Sequence, residues 1–253
     1  MTTAIDLTPA PGAAPAARRV VRHALTEARL LVRNGEQLLL ALVIPVGILV
    51  AGPLLGDRLG GLDQLVPSVL ALAVWSSAFT SIAIATGFER RYGVLERLAA
   101  TPLGRSGLLA GKAGAVLAVL AGQLVVLTTL GIALGWRPSF TAGSALFAIA
   151  LIVLAGAAFV SLALLLAGRL RAEITLAVAN LVYVVLLAGG ALVVPLDRYP
   201  AGLQPVLALL PTAALGEGLR SAARGQVLPI ALVVLVVWLF ATAALTRRLF
   251  RWT

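Results

Sequence analysis

The chain has 253 residues, 60% of them hydrophobic and only 12% charged, with a mean hydropathy of +1.04 and a formal net charge of +10. Soluble domains carry about twice that share of charge, so an ordinary water-soluble globule and a charge-rich disordered chain are both excluded, and an all-α, polytopic membrane protein is expected. Cysteine is absent and His23 is the only histidine, which also excludes disulfides, Cys-based metal sites and a Ser-His-Asp triad at membrane depth.

Residues 1–17 are rich in Ala, Pro and Thr and contain no apolar core. They read as a disordered cytoplasmic tail, not a signal peptide. Over residues 18–36, Val21, Leu25, Ala28 and Val32 recur at helical spacing, with Val20, Ala24 and Leu31 beside them. Arg18, Arg19, Arg22, His23, Arg29 and Arg33 occupy much of the remaining surface. The pattern predicts a basic amphipathic helix in the headgroup plane, the alternative being a plain cytoplasmic extension of the first span. His23 is placed on its solvated side.

Six uncharged runs follow, at 37–56, 64–88, 113–136, 138–168, 174–196 and 225–246. A helix rising 1.5 Å per residue crosses the ~30 Å hydrocarbon core in about 20 residues, so each run suffices. The fourth exceeds the need and is expected to begin or end outside the core, or to tilt. The membrane domain is therefore taken as 37–253. Residues 199–216 are also uncharged, but Pro200, Pro205 and Pro211 interrupt them. Proline breaks helices, so 197–224 is read as an extracellular re-entrant helical pair that dips into the outer leaflet without crossing.

Of the 20 Lys and Arg residues, fifteen lie before the first run, after the second, after the fourth or after the sixth. The other five are Arg58, Arg137, Arg198, Arg220 and Arg224. Basic residues collect on cytoplasmic loops, which places both termini in the cytoplasm of a multi-pass protein of the inner (plasma) membrane. Topology accounts for the positive charge better than nucleic acid binding does.

No Asp, Glu, Lys, Arg or His lies within the six runs. That argues against an ion-coupled carrier and against intramembrane acid-base chemistry. Milder groups remain, and they either bond to neighbouring helices or line a substrate path. The path candidates are Ser77, Thr80, Ser81, Asn180 and Tyr183. The stretch Gly107-Leu-Leu-Ala-Gly111-Lys112-Ala113 looks like a phosphate loop. It has one residue too few between the glycines, and Ala113 stands where Ser or Thr should hold magnesium. The chain is expected to bind no nucleotide or metal of its own and to have no catalytic residue.

The most informative loop is 88–112. Residues 94–100 can form about two helical turns, with Leu95, Leu98 and Ala99 on a small apolar face and Glu96 and Arg97 opposite. Pro102 then stops the helix. A short helix of mixed character suits a partner's groove; the alternative is a charged membrane-edge loop.

The segment Glu89-Arg-Arg-Tyr-Gly-Val-Leu-Glu96-Arg-Leu-Ala-Ala-Thr101-Pro102-Leu resembles the cytoplasmic motif of permease subunits of ABC-2 type ABC transporters. A second stretch is similar to that family's late span-five glycines, Pro-marked turn and closing helix. It runs through Leu187-Ala-Gly-Gly190, Val194-Pro195-Leu, Pro200, Leu210-Pro211-Thr212 and Glu217-Gly-Leu-Arg220. The resemblance covers the chain from about Arg18 to Arg251. It implies a type V exporter fold with six spans, and the export of a drug, antibiotic or lipid. Energy would come from a separate ATPase subunit that binds ATP and Mg, and a second permease chain would complete a homodimer or heterodimer. Membrane lipid is the surrounding partner.

The resemblance also assigns roles. Glu89, Arg90 and Arg91 would tie the base of span two to the ATPase or to the amphipathic helix. Residues 94–101, with Val94, Thr101 and Pro102 at their ends, would form a coupling helix. In it Leu95 and Leu98 are anchors, and Glu96 and Arg97 are specificity contacts. Pro195, Pro211, Thr212, Glu217 and Arg220 would form a re-entrant gate. Gly216 and Gly218, where better helix formers are usual, predict a less rigid gate helix. The rival function is a membrane anchor or scaffold for a soluble partner, without transport.

Overall fold

The computed structural model describes residues 12–33, 35–52, 54 and 61–250, and every regular element among them is helical. The first eleven positions of the expected tail, Arg58 and Arg251 lie outside the described residues. Helix α1 (Ala16–Arg33) answers the expected amphipathic helix and begins two residues earlier. Helix α2 (Gly35–Ala51) carries Pro45 in its interior and is uncharged after Glu36.

Among the described residues five helices are long and apolar enough to cross a bilayer: Gly61–Arg91, Ser106–Ala133, Ala142–Ala167, Ala172–Gly189 and Pro229–Leu249. The first consists of α3 (Gly61–Trp75), a π turn (Ser76–Thr80) and α4 (Ser81–Arg91) in one continuous rod. This rod is the most buried of the five. At the π turn the Trp75 ring stacks on Phe79 at 4.3 Å and meets Phe159 edge-on at 4.7 Å. Such aromatic pairs favour these offset and edge geometries and help fix the wide turn.

After the rod come α5 (Val94–Ala99) and α6 (Gly104–Ala133). Helix α6 starts well before residue 113, because Lys112 does not end it: neighbouring carboxylates neutralise that charge. Helix α7 (Ala142–Ala167) opens with a reciprocal capping box between Thr141 and Ser144, and the Pro138 end of the long fourth run lies outside it. Helix α7 packs along α11 (Pro229–Leu249), which starts at a proline pre-set for the first turn. The Thr242 and Thr246 hydroxyls donate across to the Ala158 and Ser161 carbonyls at 3.4 and 2.8 Å.

Helix α8 (Ala172–Gly189) is the least buried of the five and stops short of the run predicted to reach residue 196. Only glycine fits where the chain leaves it. A Cβ on Gly190 would lie 2.4 Å from the Leu186 carbonyl oxygen and 2.6 Å from Thr212 Oγ1. The chain then passes a 3-10 turn (Leu196–Arg198) and α9 (Gln204–Leu207) into α10 (Pro211–Ala223), which is buried along nearly its whole length. The prolines thus break this segment as expected. Helix α10 packs inside the bundle against α3, α7 and α11.

Candidate functional site

At one end of the bundle three elements meet on Lys112, which is only 2% exposed. Its ammonium lies 2.7 Å from the Glu89 carboxylate on α4 and 3.3 Å from Glu27 on α1. His23 Nε2 stands 3.7 Å from Glu27 on the other side and makes no hydrogen bond. A buried ammonium is tolerable only when opposite charges and hydrogen bonds surround it, so Lys112 binds α1, α4 and α6 into one block. Burial holds the His23 imidazole below its ordinary pKa of 6.5; Glu27 opposes the shift and Lys112 adds to it. His23 is therefore not on a solvated face, as its basic neighbours suggested. It is turned into the α1–α6 contact.

That contact explains the glycines that imitate a phosphate loop. Gly107, Gly111 and Gly114 lie on one face of α6, at a helical spacing of four and three. Cβ atoms there would meet Val20 at 3.4 Å, His23 at 2.4 Å and Ala24 at 3.5 Å. The glycines let two helix backbones approach closely, as small residues do between membrane helices. The face of α1 that packs is Val20, His23, Ala24, Glu27 and Leu31. Val21, Leu25 and Val32, expected at the centre of its apolar stripe, are exposed.

The rest of the motif fans outward. Arg90 donates to the Leu170 carbonyl at 2.5 Å, and Arg91 pairs with Glu173 at the start of α8. Glu89 thus reaches α1 through Lys112, whereas the two arginines reach the α7–α8 corner. Gly93, with φ +68°, turns the chain into α5. On α5 Leu95 is fully buried against its own chain and Leu98 is half-buried. Glu96, Arg97, Thr101 and Pro102 are exposed. Leu95 thereby holds α5 on α4 and α6, and what α5 offers outward is chiefly the Glu96–Arg97 step.

The five path candidates do not converge. Ser77 and Ser81 line a cavity of about 790 Å³ beneath α1, where the Ser77 hydroxyl donates to Gln123 Oε1 at 2.8 Å. Thr80 lies on the π turn, and its buried hydroxyl makes no hydrogen bond. Asn180 is exposed and Tyr183 half-buried on α8, away from that cavity.

At the opposite end Arg220, 1% exposed, is the centre of a second polar node. Its Nη1 donates to Ser68 Oγ at 2.8 Å and to the Leu192 carbonyl at 2.9 Å. Its Nη2 donates to the Ala191 carbonyl at 2.9 Å and to Glu217 Oε1 at 2.8 Å. The same carboxylate oxygen accepts the Leu196 N–H at 2.7 Å. Gly216 permits this arrangement: a Cβ there would lie 2.8 Å from each of the two carbonyl oxygens. The glycine that predicted a loose helix instead lets a strand of carbonyls reach a buried guanidinium. The fork geometry of Arg suits it, and the node holds Ala191 at φ +51°, unusual for a residue with a Cβ. Sequence reasoning named Arg220 and Glu217 but not Ser68, nor Glu27 and His23 at the other node. The signal available for the latter was a histidine and a glutamate four apart on a helix otherwise rich in arginine.

Comparison with known proteins gives two results. The family model described as ABC-2 type transporter matches residues 21–223. A probable doxorubicin resistance ABC transporter permease protein, DrrC, of Mycobacterium tuberculosis is similar over 248 aligned residues at 28% identity. The alignment covers 92% of this chain and 89% of that protein, and the result is the same for strains CDC 1551 and H37Rv.

Proposed function

The chain belongs to the ABC-2 type transporter family as a membrane permease subunit, and from that premise we infer that it exports a hydrophobic or amphipathic compound with energy from a separate ATPase. A drug or antibiotic is the favoured cargo class, in line with the resistance named for the mycobacterial relative; lipid cargo is the alternative within the class. ATP and Mg belong to the ATPase subunit, and this chain carries no ATPase site of its own.

The observation that carries the coupling reading is the position of α5. Its buried Leu95 seats it on α4 and α6, while Glu96 and Arg97 project from the bundle. A push on that exposed step would pass through Leu95 to two long helices. The Lys112 node would carry it to α1, so that one block moves as a rigid body. Leu98 and Thr101 complete the docking edge.

Both termini and α5 would face the cytoplasm of the plasma membrane, with α2 as the first of six crossings, since fifteen of the 20 basic residues fall on that side. Helices α9 and α10 would then form the re-entrant pair on the outer side, with Pro195, Pro211, Thr212 and the Glu217–Arg220 node as a gate. A second permease chain would cover the exposed face of α8, which presents Leu181, Val184 and Val185. The path between chains would use Thr80, Asn180 and Tyr183.

The test is ATP-driven uptake of labelled drug by inverted vesicles that contain this chain and its ATPase subunit. Transport is expected, and Arg97→Glu or Leu98→Asp should abolish it while leaving membrane insertion intact. Normal transport in both variants would overturn the docking role of α5.

A further inference from the structure

The cavity beneath α1 is a feature that export leaves unused. It holds about 790 Å³, within the range of sites that take small molecules. Its walls come from α1, α2, the central rod and α6, and Leu31, Ile82, Val116, Val119 and Val126 make them mainly apolar. It extends along α6 from Val116 to Val126. Ten residues of helix are about 15 Å, half of a ~30 Å hydrocarbon core, so the cavity is one leaflet deep.

Its polar groups fall into two sets. On the rod and α6 the Ser77–Gln123 hydrogen bond ties the polar side chains to each other. On α1, Arg29 and Arg33, four residues apart on one face, are both exposed and border the opening. No acidic side chain is among the described lining residues, because Glu27 turns away to Lys112. An empty apolar pocket of this size is filled by hydrocarbon more readily than by water. Two guanidiniums at its mouth select an anionic oxygen group. The exposed Val21, Leu25, Leu30 and Val32 on α1 bring that mouth to a bilayer surface.

We propose that this cavity is a resident binding site for an acidic phospholipid of the leaflet that α1 touches. One acyl chain fills the space beside Gly122, and the phosphate lies between Arg29 and Arg33. The lipid is a structural ligand that packs α1 against the bundle and is distinct from the exported compound.

The test uses the full chain in vesicles of equal phosphatidylglycerol and phosphatidylcholine, extracted in mild detergent and weighed intact by native mass spectrometry. Wild type should retain phosphatidylglycerol over phosphatidylcholine by about tenfold or more, given two basic groups at the mouth. The double variant R29Q/R33Q should lose that preference. Gly122 has no atom within 4 Å of the position of a Cβ, so side chains added there enter open space. Gly122→Phe should therefore fill the cavity and abolish retention without lowering the melting midpoint, whereas Gly122→Ala should keep the lipid. Equal retention of both lipids by wild type, or unchanged retention in Gly122→Phe, would overturn the proposal. So would displacement of the lipid by a transported drug, which would make the cavity a cargo site.

Discussion

Lys112→Met removes one charge at the junction of α1, α4 and α6 while nearly conserving side-chain length. It leaves the Glu27 and Glu89 carboxylates facing each other with no cation between them. Breaking a buried ion pair from one side costs about 3–5 kcal/mol. The two glutamate side chains keep 17% and 25% exposure, so some water reaches them and the lower figure applies. A loss of about 3 kcal/mol is roughly a hundredfold in the equilibrium that holds α1 on α6. The chain has no cysteine, which allows a clean assay. A Cβ on Gly114 would be 3.5 Å from that of Ala24, within disulfide range. The pair Ala24→Cys and Gly114→Cys should therefore cross-link readily under mild oxidation. Adding Lys112→Met should slow the cross-linking by about two orders of magnitude, and adding Glu89→Gln as well should restore much of it. Equal rates with and without Lys112→Met would refute the claim that Lys112 clamps α1.

Gly111→Val should destabilise the α1–α6 contact by about 1–3 kcal/mol through overpacking, because its Cβ would be 2.4 Å from the His23 ring; thermal melting in detergent reads this, with Gly122→Ala as the neutral control. Arg220→Met should cost about 3 kcal/mol by leaving the partly exposed Glu217 and two carbonyls without their cation, and Arg220→Lys should recover little because it cannot fork between two carbonyls; the same melting assay measures both. Because the pKa of docked His23 lies below 6.5, the undocked state binds more protons just under that value. Docking of α1 is then complete above about pH 6.5 and weakens as the pH falls through it. The cysteine cross-link should slow between about pH 7 and pH 5 by more than the falling thiolate fraction accounts for, and His23→Gln should leave only the thiolate dependence.

The long apolar helices were legible because runs without charge leave few alternatives to a helix in lipid. Their ends were less so. Lys112 looked like a boundary because pairing with Glu27, remote in sequence, cannot be read from local charge. At Gly190, where α8 ends, Thr212 Oγ1 takes the space a Cβ would need, a tertiary fact. The π turn at Ser76–Thr80 contains neither proline nor glycine and carries no local mark. On α5 the pattern of Leu95 and Leu98 gave the apolar face correctly, but periodicity does not say whether a face meets a partner or the chain itself. Helix α1 divided its apolar residues in an unexpected way. The glycine row of α6 accepted the side with His23 and Glu27, which left the stripe through Val21 and Leu25 outside.

The most direct test of ATPase coupling through α5 is a cysteine at Arg97 in the cysteine-free chain, assayed in cells and in the complex with the ATPase subunit. The account predicts that a membrane-impermeant thiol reagent leaves this cysteine unlabelled in intact cells and labels it in inverted vesicles. It also predicts that a short cross-linker joins it to the ATPase subunit in an ATP-dependent manner. Labelling from outside intact cells, or a complex that hydrolyses ATP and transports drug with no cross-link from this position, would contradict it.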